Sequence, residues 1–227
     1  MIPWKLLDKA QAPGDGEELT LYQRDDEFTI MAGTYELMNS RIHGSEDALA
    51  DMTCQKLAHH PKARVLIGGL GMGFTLRAAL NGLGADAQVI VSELVPAVVT
   101  WNRSYLAELA HNPLADERVI VEEVDVSRLI RKAKRHYNAI LLDVDNGPQA
   151  LTTRNNEWLY SPRGLDAAYD ALQPGGVLAI WSPGADAAFS KRLSESGFDI
   201  DEIKVPARGK GKGKRGGYHY IWTAIRG

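Results

Sequence analysis

The stretch VLIGGLGMGFTLRAAL, Val65 to Leu80, joins an aliphatic run to a glycine cluster and then to a helical pattern. Gly69, Gly71 and Gly73 give G-x-G-x-G between an expected strand and an expected helix. Backbone can approach a ligand closely only where side chains are absent, so this loop reads as a nucleotide-binding turn. The G-K-[ST] ending of a phosphate-binding P-loop is missing. Glycines at this spacing also serve plain tight turns, so the flanking segments have to identify the ligand.

Outward from the loop, strand and helix alternate. ARVLIGG, AQVIVSE, RVIVEEV, YNAILLD and GGVLAIW are short aliphatic runs of the kind that form buried parallel strands. Pro96 opens one intervening helix, and Ser161-Pro162 supplies an N-cap and an N1 proline for another. This rhythm predicts an α/β fold with helices on both faces of a parallel sheet. The ending differs: FDIDEIKVPAR and GYHYIWTAIR, joined by GKGKGKRGG, predict two antiparallel neighbours.

Before the α/β part, LTLYQRDDEFTIMAG alternates apolar and polar residues on both sides of RDDE, which predicts a hairpin, and TYELMNS adds a third strand. HGSEDALADMTCQKLAHH then turns helical, with Ala48, Leu49, Met52 and Leu57 as its apolar set and Ser45 as the expected N-cap. His59 and His60 read as a frayed helix end rather than a metal pair. Residues 1–44 are expected to form a small N-terminal β domain and residues 45–227 the nucleotide-binding domain.

Three acids face the expected crevice. Glu93, with Leu94 beside it, ends the second strand of the α/β part, where a carboxylate can accept both hydroxyls of a ribose. That fits NAD and S-adenosylmethionine equally. Asp125, followed by Val126, stands at the end of the third strand, where it can receive an adenine amino group or cap the next helix. Asp143 ends the fourth strand, at an edge where carboxylates face the ligand.

The pieces resemble a known family. The parallel sheet with an antiparallel C-terminal hairpin resembles the Rossmann-like class I methyltransferase fold, and the turn in LQPGGVLAIW is similar to the L-x-P-G-G turn of S-adenosylmethionine-dependent methyltransferases. VLIGGLGMG resembles the spermidine synthase form of the loop, with an aliphatic Ile67 and the doubled Gly68-Gly69 where most methyltransferases carry an acid. SELVPAVVTWNR, VEEVDV, YNAILLDVDNGP and the hairpin leading to ELMNSRIHGSED continue the likeness to polyamine aminopropyltransferases. The resemblance implies binding of S-adenosylmethionine or its decarboxylated form through Gly69, Gly71, Gly73, Glu93, Leu94, Asp125, Val126 and Asp143. It implies Asp143 as the group that helps to deprotonate an attacking amine, with Asp145 as a second catalytic acid. It also implies a homodimer paired through the N-terminal β region.

Some family positions differ. Asn146 stands where the second acid of the Asp-Ser-Ser-Asp-Pro type of motif would be, and Gly71 where the loop aspartate would be. His43 aligns with the family glutamine, and Glu46, His43 and Asn146 are the expected substrate contacts. With two polyamine-specific acids absent, methyl transfer to an unknown acceptor is the leading expectation, ahead of aminopropyl transfer to a polyamine and of a non-catalytic, nucleotide-binding assembly role.

Bulk properties set the outer bounds. A net charge of −3 gives no global case for nucleic acid or anionic membranes. The basic stretch with Arg208, Lys210, Lys212, Lys214 and Arg215 has no interleaved aromatics to stack bases, so nucleic acid is not expected as a partner. Cys54 is the only cysteine, which suits a reducing compartment. No signal peptide, spanning segment or metal site is expected, and the chain is placed in the cytoplasm.

Overall fold

The aliphatic runs around the glycine loop form the centre of a seven-stranded sheet. The structure, a computed structural model, describes residues 2–14, 16–144, 156–208 and 217–227. The strands of this sheet are β5 (Arg64–Gly68), β6 (Gln88–Ser92), β7 (Val119–Glu122), β8 (Tyr137–Leu142), β9 (Leu172–Ser182), β10 (Phe198–Pro206) and β11 (Tyr218–Arg226). Their order is β10-β11-β9-β8-β5-β6-β7. The five strands from β5 to β9 pair in parallel, and β11 pairs antiparallel with both β9 and β10. This is the α/β arrangement closed by a C-terminal hairpin that the strand pattern predicts. β5 feeds β6 on one side and lies beside β8 on the other, so strand order reverses there and a crevice opens at the carboxyl ends.

Five of the helices follow the strands: α2 (Phe74–Gly82), α3 (Pro96–Asn102), α4 (Val126–Lys132), α5 (Pro162–Ala171) and α6 (Ala187–Glu195). The start signals act as expected at two of them. Pro96 opens α3, and the Ser161 hydroxyl accepts the Gly164 N–H at 3.2 Å. Two apolar clusters fill the two faces of the sheet, one centred on Ile67, Val89 and Trp101, the other on Ile140, Phe189 and Trp222. None of the described helices is long and apolar enough to cross a membrane.

The N-terminal part holds one strand more than the alternation predicts. β1 (Lys5–Gln11), β2 (Glu18–Arg24), β3 (Glu27–Ala32) and β4 (Tyr35–Asn39) form an antiparallel sheet in that order. Leu19, Leu21, Ile30 and Ala32 join the same cluster as Ile67, so this sheet packs on the larger one. The Trp101 indole donates to Asp8 Oδ2 at 2.8 Å and ties β1 to α3. Ile2, Trp4, Leu6 and Tyr35 remain exposed on this part.

One helix start needs correction. α1 (Gly44–Lys56) begins with His43 as its N-cap, and no side chain bonds the cap. Ser45 already lies inside the first turn. Chain entry is set by a tertiary contact instead, the Gly44 N–H donating to the Ala207 carbonyl at 2.8 Å. Ser45 is thereby released for another role. His59 and His60 lie beyond the helix and are exposed.

Candidate active site

The cleft of about 200 Å³ lies between the N-terminal sheet and the carboxyl edge of the larger one. Its floor is the glycine loop. Gly69 has φ +89°, and a Cβ there would sit 2.3 Å from the Asp143 carbonyl oxygen. Gly71 has φ +52°, and its Cβ would press on the Met38 thioether at 2.9 Å. Side chains are therefore excluded at both positions, which leaves backbone facing the cleft. The Asn102 amide donates to the Gly71 carbonyl at 2.8 Å and holds the loop.

Glu93 closes one end. Its Oε2 accepts the Leu70 N–H at 2.9 Å and its Oε1 the Val95 N–H at 2.8 Å. These bonds fix the carboxylate where it lines the cleft. Asp125 is both an N-cap and a wall residue. Its Oδ1 accepts the Ser127 N–H at 2.7 Å while the residue lines the cleft. The capping role expected from sequence is thus met by a residue that also faces the cleft. Leu94 and Val126 also line this end, and Leu94 is 37% exposed there. A flat apolar ring system such as a purine would cover that surface.

The other end is acidic and carries polar side chains bonded to each other. Asp143 leaves β8 with its N–H on the Gly68 carbonyl at 2.9 Å, and its Oδ2 accepts the Thr75 hydroxyl at 2.5 Å. Glu46 reaches the same space from the first turn of α1 and is 8% exposed. Burial, and after it the charge on Asp143, pushes the Glu46 carboxyl up to about 8. Its Oε2 is 2.7 Å from the Ser45 hydroxyl, which also meets His219 Nδ1 at 2.8 Å and receives the Trp181 indole N–H at 3.0 Å. Trp181 lines the cleft at the carboxyl end of β9.

The structure thus brings Gly69, Gly71, Glu93, Leu94, Asp125, Val126, Asp143 and Glu46 to one cleft. Gly73 stands behind it as the N-cap of α2. His43 does not line the cleft. It stacks on Phe74 at 4.2 Å and bonds Asp47 at 2.8 Å. Arg77 donates to the same carboxylate at 2.5 Å. This correction follows from the cap position, which points the ring along α1 to its own i+4 neighbour. Asp145, Asn146 and most of the basic stretch, from Lys210 to Arg215, lie outside the described residues.

Sequence reasoning missed Trp181, Ser45, Thr75 and His219. Trp181 had a readable signal, since it closes GGVLAIW at the strand end where ligands bind. Ser45 was absorbed by the capping rule.

Comparison with known proteins bears on the fold and the family likeness. No family model matches the chain. The polyamine aminopropyltransferase 1 of Streptomyces coelicolor is 29% identical over 153 residues, which covers 64% of this chain and 28% of that protein. The polyamine aminopropyltransferase of Saccharolobus solfataricus is 26% identical over 140 residues, 62% of this chain and 46% of that protein. The chain therefore matches less than half the length of either. Among solved structures, the spermidine synthase of Thermotoga maritima superposes with a TM-score of 0.76 at 20% identity, covering 98% of this chain and 73% of that one. A spermidine synthase in complex with the transition-state analogue AdoDATO gives 0.74 at 19% identity, covering 98% and 73%.

In fold and sequence pattern the chain is spermidine synthase-like. This overturns methyl transfer as the leading reading, because both curated relatives are named aminopropyltransferases. The expectation failed because it weighed two absent acids at fixed sequence positions. Charge in a cleft is a sum over every element that lines it, and α1 supplies Glu46.

Proposed function

We propose that the chain transfers an aminopropyl group from decarboxylated S-adenosylmethionine to a linear amine. The observation that carries this reading is the acidic lining of the cleft. Glu17, Glu46, Glu93, Asp125 and Asp143 line it, and no Lys, Arg or His does so among the described residues. Both reactants of this transfer are cationic. Among the described lining residues, the carboxylate of ordinary S-adenosylmethionine would meet acids and no side-chain cation.

The donor's ribose lies on Glu93 and its adenine between Leu94 and Val126, with the amino group toward Asp125. This leaves the sulfonium over the glycine loop. The amine enters between Asp143 and Glu46. An alkylammonium has a pKa of ~10 and must lose a proton before it can attack. Asp143 orients the amine and accepts that proton. The nitrogen lone pair then forms a bond to the CH₂ beside S⁺, and the C–S electrons stay on sulfur. The balance is ammonium plus sulfonium giving a secondary ammonium, a thioether and one proton. Alignment of nitrogen, carbon and sulfur across the cleft supplies much of the rate.

The test is incubation with decarboxylated S-adenosylmethionine and a linear diamine, followed by chromatography for methylthioadenosine and the extended amine. Production of S-adenosylhomocysteine from ordinary S-adenosylmethionine, with none from the decarboxylated donor, would contradict the reading. Self-association through the exposed apolar residues of the N-terminal sheet belongs to the same proposal. A strictly monomeric mass in light scattering contradicts that part.

A further inference from the structure

Ser45 occupies a position with a strict donor balance. A serine hydroxyl has one proton to give and two lone pairs. The Trp181 indole N–H can only donate, so it uses one lone pair, at 3.0 Å. One proton and one lone pair remain for two neighbours, Glu46 Oε2 at 2.7 Å and His219 Nδ1 at 2.8 Å. Ser45 is fully buried, so water cannot relieve a mismatch. One of these neighbours must therefore carry a proton while the other does not.

We infer that Ser45 and His219 form a relay that carries the acceptor's proton from Glu46 out of the cleft to the half-buried ring at the start of β11. The relay rests on the transfer reading above for its use, but its proton linkage is a property of the chain alone. Glu46 and Trp181 line the cleft, whereas His219 is the second residue of β11 and is only half-buried. The Trp181 ring meets His219 edge to face at 4.8 Å and fixes its plane. Two satisfied arrangements exist. In the first, the Glu46 carboxylic acid donates to Ser45 and Ser45 donates to an unprotonated His219 Nδ1. In the second, His219 Nδ1–H donates to Ser45 and Ser45 donates to the Glu46 carboxylate.

Passing from the first to the second moves one proton outward. The Glu46 proton goes to the Ser45 oxygen as the Ser45 proton goes to Nδ1. The imidazolium then releases its Nε2 proton to water. Glu46, now a carboxylate, takes the proton that Asp143 has drawn from the ammonium, and hydroxyl rotation with tautomer exchange resets the chain. The net result is the one proton that the transfer must shed.

The charges around the relay favour this cycle. Burial first, and then the charges of Asp143 from the end of β8 and Asp47 from α1, together push the Glu46 carboxyl up to about 8. Asp47 is itself engaged by His43 and Arg77. Burial holds His219 below its ordinary range, so the ring stays neutral at rest. Ser45 and His219 act through Glu46 and are positioning residues, not catalytic ones.

The test uses the full chain labelled with ¹⁵N. Long-range proton–nitrogen spectra report which ring nitrogen of His219 holds the proton, and His219→Gln assigns the signals. As pH rises through about 8, the proton should move from Nε2 to Nδ1 while the ring remains neutral. Ser45→Ala should abolish the move. In turnover, Ser45→Ala should lower kcat on the order of 10–100-fold and flatten its pH profile, with the fold checked by circular dichroism. A His219 tautomer that stays fixed across this range, or a Ser45→Ala variant with the parent kcat and pH profile, overturns the relay. A chain that shows the switch but transfers nothing overturns the proposed function and leaves the linkage standing. A chain that transfers without the switch overturns the relay alone.

Discussion

The two ends of the cleft hold their carboxylates in different ways. At the glycine-loop end, Glu93 and Asp125 are fixed by backbone N–H groups from Leu70, Val95 and Ser127. Backbone donors cannot rotate or exchange partners, so these acids are rigid anchors for a ligand's hydroxyl and amino groups. At the other end, Glu46 and Asp143 bond the hydroxyls of Ser45 and Thr75. Hydroxyls rotate and both give and accept protons. Under the proposed transfer, the first end binds the nucleoside and the second moves protons.

That division can be broken at its strongest point by Asp143→Asn. The variant keeps the shape and the Thr75 bond but loses the proton acceptor. Turnover should fall by roughly 10²–10⁴-fold while nucleoside affinity is retained. An unchanged rate in a steady-state assay would remove Asp143 from the chemistry. The same variant should also lower the Glu46 carboxyl, since the Asp143 charge helps to raise it.

A smaller effect is expected at the binding end. Glu93→Ala removes the acceptor for the ribose and for two loop N–H groups at once. Nucleoside binding should weaken by about 1–3 kcal/mol. Calorimetry showing equal affinity would put the ribose elsewhere.

The mildest test concerns stability. Burial raises the Glu46 carboxyl from 4.5 to about 8, so the folded chain holds a proton that the unfolded chain releases. The contribution of that proton is complete at low pH and is lost as pH rises through about 8. Glu46→Gln has no proton to lose. Its unfolding free energy relative to the parent should climb from about pH 5 to pH 8 and then level off. A difference that is flat with pH would mean that Glu46 is not held protonated by the fold.

The same division separates what was legible in sequence from what was not. Gly69, Glu93 and Asp143 each follow directly on an aliphatic strand and Asp125 lies three residues past the end of one, so local pattern and the crevice rule find them together. The partners of Ser45 come from far away, since Trp181 lies 136 residues from it and His219 174. No local period encodes such a meeting. Ser45 also satisfied a capping rule that the Gly44–Ala207 contact overrides. β1 was missed for another reason: KLLDKAQ has no β-branched or aromatic residue, and pairing with β2 makes it a strand.

The most direct test of the two-ended cleft is calorimetry of Glu46→Gln against two ligands separately. One is methylthioadenosine, for the binding end, and the other a linear diamine in the presence of saturating methylthioadenosine, for the proton-moving end. The account predicts that methylthioadenosine binds within about 0.5 kcal/mol of the parent, because Glu46 bonds Ser45 whereas Glu93 and Asp125 are held by the backbone of Leu70, Val95 and Ser127. At about pH 9, where the parent Glu46 is ionised, it predicts that the diamine binds measurably more weakly. A variant that loses the nucleoside and keeps the diamine would contradict the account.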